Sequence, residues 1–240
     1  MKLYDGDVKA LLQVNVASFK PSEDVQGRHV PKIKFNKFDQ LKEYHSQAGQ
    51  DVFVLSCLDG KENGLFLDLG CSHPLYLNNT RILEDHYGWN GLSIDLEEAA
   101  IEKYASERKS HAWLIDACSL DYKEIINMLG SNHIDYLSLD LEPTAITQKA
   151  LESIPFDEIE FSIITFEHDE YRNGPHWKNA SRNVLEGYGY HRICSSVKNG
   201  GPPGCAFEDW YFNPKHVSYD KIKVLESEYR DWHDILMTTE

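Results

Sequence analysis

The stretch Gly64-Leu65-Phe66-Leu67-Asp68-Leu69-Gly70-Cys71-Ser72-His73-Pro74 decides how the rest of this chain is read. A short apolar run closes on an acid, and a glycine follows two positions later, as expected of a buried strand entering a tight turn. Gly70 lets that turn bring backbone close to a bound nucleoside, because it has no Cβ to intrude. It is the only glycine of the loop, so the G-x-G-x-x-G pattern of a dinucleotide pyrophosphate site is absent, and nicotinamide or flavin chemistry loses ground.

Working outward, similar runs occupy 91–95, 112–116, 134–140 and 161–167, each closing on an acid. Between them lie segments with apolar residues at helical spacing, 97–108, 121–129, 144–153 and 176–186. Thr144 is expected to cap the third of these, and Gly187 to end the fourth. The segments 190–197 and 207–212 read as a closing pair of strands, and 219–236 as a final helix. Strands alternating with helices predict an α/β fold, a doubly wound, mostly parallel sheet of about seven strands with helices on both faces. Residues 1–45 are polar and broken by Pro21 and Pro31, with one apolar run at 8–16. They read as an N-terminal arm of uncertain structure ahead of a domain spanning 46–240.

The 240 residues carry a formal net charge of −15, which argues against binding nucleic acid through its phosphates, since that mode needs clustered Lys and Arg. The five cysteines are odd in number and contain no C-x-x-C pair, so reduced thiols in a cytoplasmic protein are expected. No signal peptide or membrane span is legible.

In doubly wound sheets ligands lie at the carboxyl ends of the strands, where Asp68, Asp95, Asp116 and Asp140 are expected to converge. A nucleoside carrier without phosphates, such as S-adenosylmethionine, needs only the turn, a carboxylate or carbonyl near its cationic end and an acid for its ribose. Asp95 suits the ribose. Asp116 suits the adenine amine or, equally well, caps a helix beginning near Ser119.

The ordered motifs Ser46-Gln47-Ala48-Gly49-Gln50-Asp51-Val52-Phe53-Val54, Gly64 to Gly70, Asn79-Thr80, Gly88-Trp89-Asn90-Gly91-Leu92, Ile134 to Glu142 and Phe207-Glu208-Asp209-Trp210-Tyr211 resemble those of FkbM-type methyltransferases. The resemblance runs from about Ser46 to about Pro214. It implies the Rossmann-like class I methyltransferase fold with a reversed last strand, and O-methylation of a hydroxyl on a sugar or similar small molecule or glycan. Carried over by motif, Asp68, Gly70 and Ser72 surround the methionine portion, Asp95 the ribose, and Asp116 with Ala117 the adenine. Asp140 borders the cofactor, and Gln47 and Asp51 close over it. The chain departs from the family at Cys71-Ser72, at Asp95-Leu96 and at Glu142-Pro143. The second departure keeps a carboxylate; the first and third touch the methionine pocket and the loop on the acceptor side.

Methyl transfer from a sulfonium is an in-line displacement, and a sugar hydroxyl needs a base or a Lewis acid to become a good nucleophile. The candidates are Asp140 and Glu142 after one strand, and Glu167, His168 and Asp169 after the next. In one arrangement His168 takes the proton while Glu142 or Glu167 orients it. In the other, Asp140, Glu142 and His168 hold Mg²⁺ or Mn²⁺. Tyr171, Arg172, His176 and Trp177 are candidates for lining the acceptor site. Two other readings are a nitrogen or carboxylate acceptor and a catalytically silent nucleoside-binding scaffold.

Overall fold

The computed structural model describes residues 29–239 apart from 42 and 200–204. The apolar run 8–16 lies outside the described residues. The strands are β1 (His29–Pro31), β2 (Leu65–Leu69), β3 (Asn90–Asp95), β4 (His111–Leu114), β5 (His133–Leu139), β6 (Glu160–Glu167), β7 (His191–Lys198), β8 (Ala206–Phe212), β9 (Ser227–Glu228) and β10 (Met237–Thr239). The helices are α1 (Gln50–Cys57), α2 (Arg81–Tyr87), α3 (Glu98–Glu107), α4 (Tyr122–Leu129), α5 (Thr144–Ser153), α6 (Glu170–Asn173), α7 (His176–Gly187), α8 (Tyr219–Ile222) and α9 (Trp232–Leu236).

Eight strands form one sheet in the order β4-β3-β2-β5-β6-β8-β7-β9. The strands run parallel except β8, which is antiparallel to both its neighbours. This is a Rossmann-like, doubly wound arrangement with its last long strand reversed. Two cores cover the two faces. Phe53 of α1, Leu83 of α2 and Trp232 of α9 pack on one face with Phe66, Tyr136 and Trp210, and Phe53 stacks on Trp210 at 4.5 Å. Ile125 of α4, Leu151 of α5 and Leu185 of α7 pack on the other with Leu67, Leu137 and Phe166. Every residue of α1 is buried, so its even hydrophobicity reflects a helix enclosed on all sides.

Several local expectations change. The strand expected over 112–116 ends at Leu114, and Asp116 instead caps the 3-10 turn Ala117–Ser119 by accepting from the Cys118 N–H at 2.8 Å. The segment between β2 and β3 holds an eleven-residue loop, 70–80, and the short α2. Pro143 takes the cap position expected of Thr144, and Gly187 is the last residue of α7 rather than the residue beyond it. The final helix expected over 219–236 is broken into α8, a 3-10 turn, β9 and α9, because β7 offers a free edge that Ser227 and Glu228 pair with. Part of the expected arm is packed onto the domain: β1 pairs with β10, and Phe35 joins the core beside α1.

Candidate active site

Strand order reverses between β2 and β5, and the crevice beyond their carboxyl ends is the natural ligand site of such a sheet. Gly70 shapes its floor. Its φ is +90°, and an added Cβ would lie 1.8 Å from the Asp140 carbonyl oxygen, so only glycine fits. The next turn residue with positive φ is Ser72, at 46°, and its N–H donates to Asp95 Oδ2 at 2.8 Å. Asp95 Oδ1 accepts from the Glu97 N–H at 3.0 Å. Each oxygen of Asp95 thus accepts one described bond and keeps a lone pair for a hydroxyl donor, as a ribose-binding acid requires.

Register places the remaining acids in rows. Asp68 is aligned with Ser138, Ser138 with Thr165, and Thr165 with Trp210, across four adjacent strands. One step beyond the pair Leu139 and Phe166, Asp140 stands beside Glu167, and Glu167 is aligned with Glu208. Three carboxyls therefore share one row, on β6, on β8 and just past the end of β5. Asp140 and Glu167 stand side by side at the ends of neighbouring strands, close enough for each to change the other's titration. Burial raises the proton affinity of both, and repulsion from Asp169 adds to each; Asp140 raises Glu167 further, while Glu167 offsets part of the rise at Asp140. Burial likewise pushes Glu208 up to about 8, with Asp140 adding to the rise, although Glu208 Oε2 accepts from Gln50 Nε2 at 3.0 Å and Trp210 Nε1 at 2.5 Å. Asp68 is raised to about 6, chiefly by burial, against bonds from Ser138 and Thr80 and the charge of Arg108.

His168 does not stand in this group as a free base. It is fully buried; its Nε2 faces Asp209 Oδ1 at 3.3 Å and its Nδ1 accepts from the Glu170 N–H at 3.1 Å. Both nitrogens are occupied inside the fold, which leaves none to take an acceptor's proton or to bind an ion. Asp209 is a buried hub. Burial alone would raise it, but bonds from His168 and Arg182 hold it below the usual carboxylate range.

Among the described residues, the cluster spaced closely enough to hold a metal is Glu142, Glu167 and Asp169, with one oxygen from each within 4.8 Å of the others. Asp140 and His168 are not members. A cation already spans part of this cluster: Arg172 Nη1 bonds Glu142 Oε1 at 2.8 Å and Asp169 Oδ2 at 3.0 Å, while its guanidinium lies over the Tyr171 ring. Tyr171 and His176 are exposed, and Trp177 is half-buried against His176. Asp51 is spent locally, accepting from the Ser46 N–H and hydroxyl and from the Val52 N–H. Gln47 is half-buried beside it, and Ala117 is buried.

Four participants were not singled out from sequence. Glu208 and Asn79 lie inside quoted motifs, but only strand pairing and loop packing give them neighbours. Asp209 is likewise in a motif, and Arg108, at the end of α3, carries no local signal. Buried Arg108 bonds Pro74 O, Asn78 Oδ1 and Thr80 Oγ1 and pairs with Glu84 at 3.1 Å, tying down the whole β2–α2 loop. A groove of about 380 Å³ lined by Leu151, Phe156, Val184 and Tyr188 lies beside the start of β6, away from these acids. Among the described residues no helix is long and apolar enough to cross a membrane.

No protein-family model matches the chain, and no curated protein matches it. Among solved structures it is similar to the N-methyltransferase NodS from Bradyrhizobium japonicum in complex with S-adenosyl-L-homocysteine, at 14% identity and TM-score 0.47, over 69% of this chain and 86% of that one. It is also similar to a TehB-like SAM-dependent methyltransferase from Corynebacterium glutamicum, at 12% identity and TM-score 0.41, over 74% of this chain and 92% of that one. A third is the [4+2]-cyclase SpnF, at 13% identity and TM-score 0.42, over 60% of this chain and 56% of that one. Likeness at this level leaves the chemistry to be argued from the residues.

Proposed function

We propose that this protein is an S-adenosylmethionine-dependent methyltransferase acting on a hydroxyl of a sugar or similar small molecule. The observation that carries the reading is the buried carboxyl pair Asp140 and Glu167, side by side at the strand ends beside the Gly70 turn. The fit to the cofactor rests on three features. The Gly70 turn keeps the crevice floor free of side chain, Asp95 keeps lone pairs for ribose hydroxyls, and Asp116 Oδ1 is occupied by one N–H alone. Asp68 and Asp140 lie toward the methionine end, and Asp116 with Ala117 toward the adenine. When bound, the cofactor supplies an electrophilic methyl on a sulfonium.

The chain's own contribution is to position and to take a proton. Two carboxyls that share a proton have a raised affinity for it, so the pair can accept one from a hydroxyl at neutral pH, where an isolated carboxylate is too weak a base. Acids dominate this edge, and Arg172 is already spent on Glu142 and Asp169, which supports an acceptor without phosphates.

Calorimetry with S-adenosylhomocysteine tests the class; absence of binding would sink it and favour a scaffold for another ligand. Glu167→Gln is expected to lower turnover by about 100-fold while cofactor affinity stays within about three-fold, measured by single-turnover kinetics and calorimetry. Because the ionised pair is the active form, the rate should rise with pH through the pair's raised pKa, and Glu167→Gln should flatten that limb. A second reading, a divalent ion at Glu142, Glu167 and Asp169, is favoured by their 4.8 Å spacing and opposed by Arg172. Activity unaffected by EDTA would remove it.

A further inference from the structure

Beside Asp68, one side chain ends in an atom that has nothing to bond. Asn79 lies in the loop between β2 and α2 and is 7% exposed. Its Nδ2 donates to Ser138 Oγ at 3.1 Å, while its Oδ1 is sealed from solvent and accepts no hydrogen bond. A buried acceptor left in this state costs about 1–3 kcal/mol, and native proteins seldom leave one without a reason. The neighbours narrow the missing partner. Ser138 is aligned with Asp68 on the adjacent strand, and Asp68 Oδ2 accepts from Thr80 Oγ1 at 3.3 Å. The nearby cation, Arg108, turns Nη1 and Nη2 to Pro74, Asn78, Thr80 and Glu84. An open amide oxygen beside a buried carboxyl calls for a donor that is cationic and has more than one N–H, which is the description of a primary ammonium.

We infer that Asn79 is a cofactor-binding residue that, together with Asp68, recognises the α-ammonium at the amino-acid end of S-adenosylmethionine. This rests on the methyltransferase reading above. With Nδ2 engaged by Ser138, Oδ1 is the atom offered to the ligand. Selectivity follows: nucleosides that share the adenosine and sulfur but lack the amino-acid chain forgo this bond.

Calorimetry on the full chain with two probes, S-adenosylhomocysteine and 5′-methylthioadenosine, tests the assignment. The second probe keeps the nucleoside and sulfur and lacks the ammonium. The wild type is expected to bind S-adenosylhomocysteine at least ten-fold more tightly. Asn79→Leu should weaken S-adenosylhomocysteine by ten-fold or more and leave 5′-methylthioadenosine within two-fold, the latter also showing that the fold survives. Should Asn79→Leu not fold, Asn79→Ser, too short to reach, carries the same expectation. An equal loss for both probes, or no loss for either, overturns the assignment. If the wild type binds neither probe, the methyltransferase reading itself falls, an outcome distinct from failure at Asn79.

Discussion

Gly70 shows how a single residue type can be dictated by a neighbouring strand. With φ at +90° and the Asp140 carbonyl 1.8 Å from where a Cβ would stand, Gly70→Ala must push β2 and β5 apart at their ends. The expected cost is more than about 3 kcal/mol, read by urea denaturation, with loss of nucleoside binding in whatever folds. Glu208 is the opposite case, a polar group held where its charge is unwelcome. Its folded carboxyl titrates at about 8 against an ordinary 4.5, so the protonated form is the one the fold favours. The stability this confers is complete below the ordinary value and is lost as pH rises through about 8. Glu208→Gln keeps an oxygen for Gln50 and Trp210. Its unfolding free energy should equal the wild type's near pH 4 and exceed it at pH 8.5, a difference that denaturation at the two pH values will show.

At the scale of elements, the β2–α2 connection is braced by one long side chain from just beyond α3. Arg108 reaches from the end of α3 to Pro74, Asn78, Thr80 and Glu84, and its side chain is wholly buried. Removing one partner of a buried ion pair leaves the other charge uncompensated, so Arg108→Ala should cost about 3–5 kcal/mol. Asn78 and Thr80 would lose their anchor at the same time, so nucleoside affinity should fall with stability. Arg108→Lys should restore part of the stability and less of the affinity, because a lysine cannot fork to several acceptors. A variant as stable as the wild type would show that the loop is held by other contacts.

Across the whole molecule, the two ends of the described chain close the same core. β1 pairs with β10, and Trp232, Ile235 and Leu236 of α9 pack with α1 residues and Phe35. Each large apolar side chain contributes about 1.5–3 kcal/mol by burial. Deleting residues 230–240 should therefore unfold the domain or leave it binding hydrophobic dyes. A truncated protein with an unchanged melting temperature would mean that α9 is an appendage.

The order of strands and helices was legible because buried parallel strands read as short apolar runs and surface helices as stripes, signals written in consecutive residues. The acids at the strand ends, Asp68, Asp95, Asp140 and Glu167, were legible for the same reason, as the last residues of those runs. The final helix over 219–236 was not, since its interruption answers to the free edge of β7, a feature of another part of the chain. His168 looked like a base because it lies between two acids in sequence. In space it faces inward to Asp209, on a strand 41 residues later. By itself, then, the sequence determined the alternating α/β pattern, the glycine turn and the acids that face it. Tertiary structure alone decided which acids share a row, which histidine nitrogens are taken and which amide oxygen is left open. Those properties depend on register and packing between segments far apart in the chain, and no local pattern of residues encodes them.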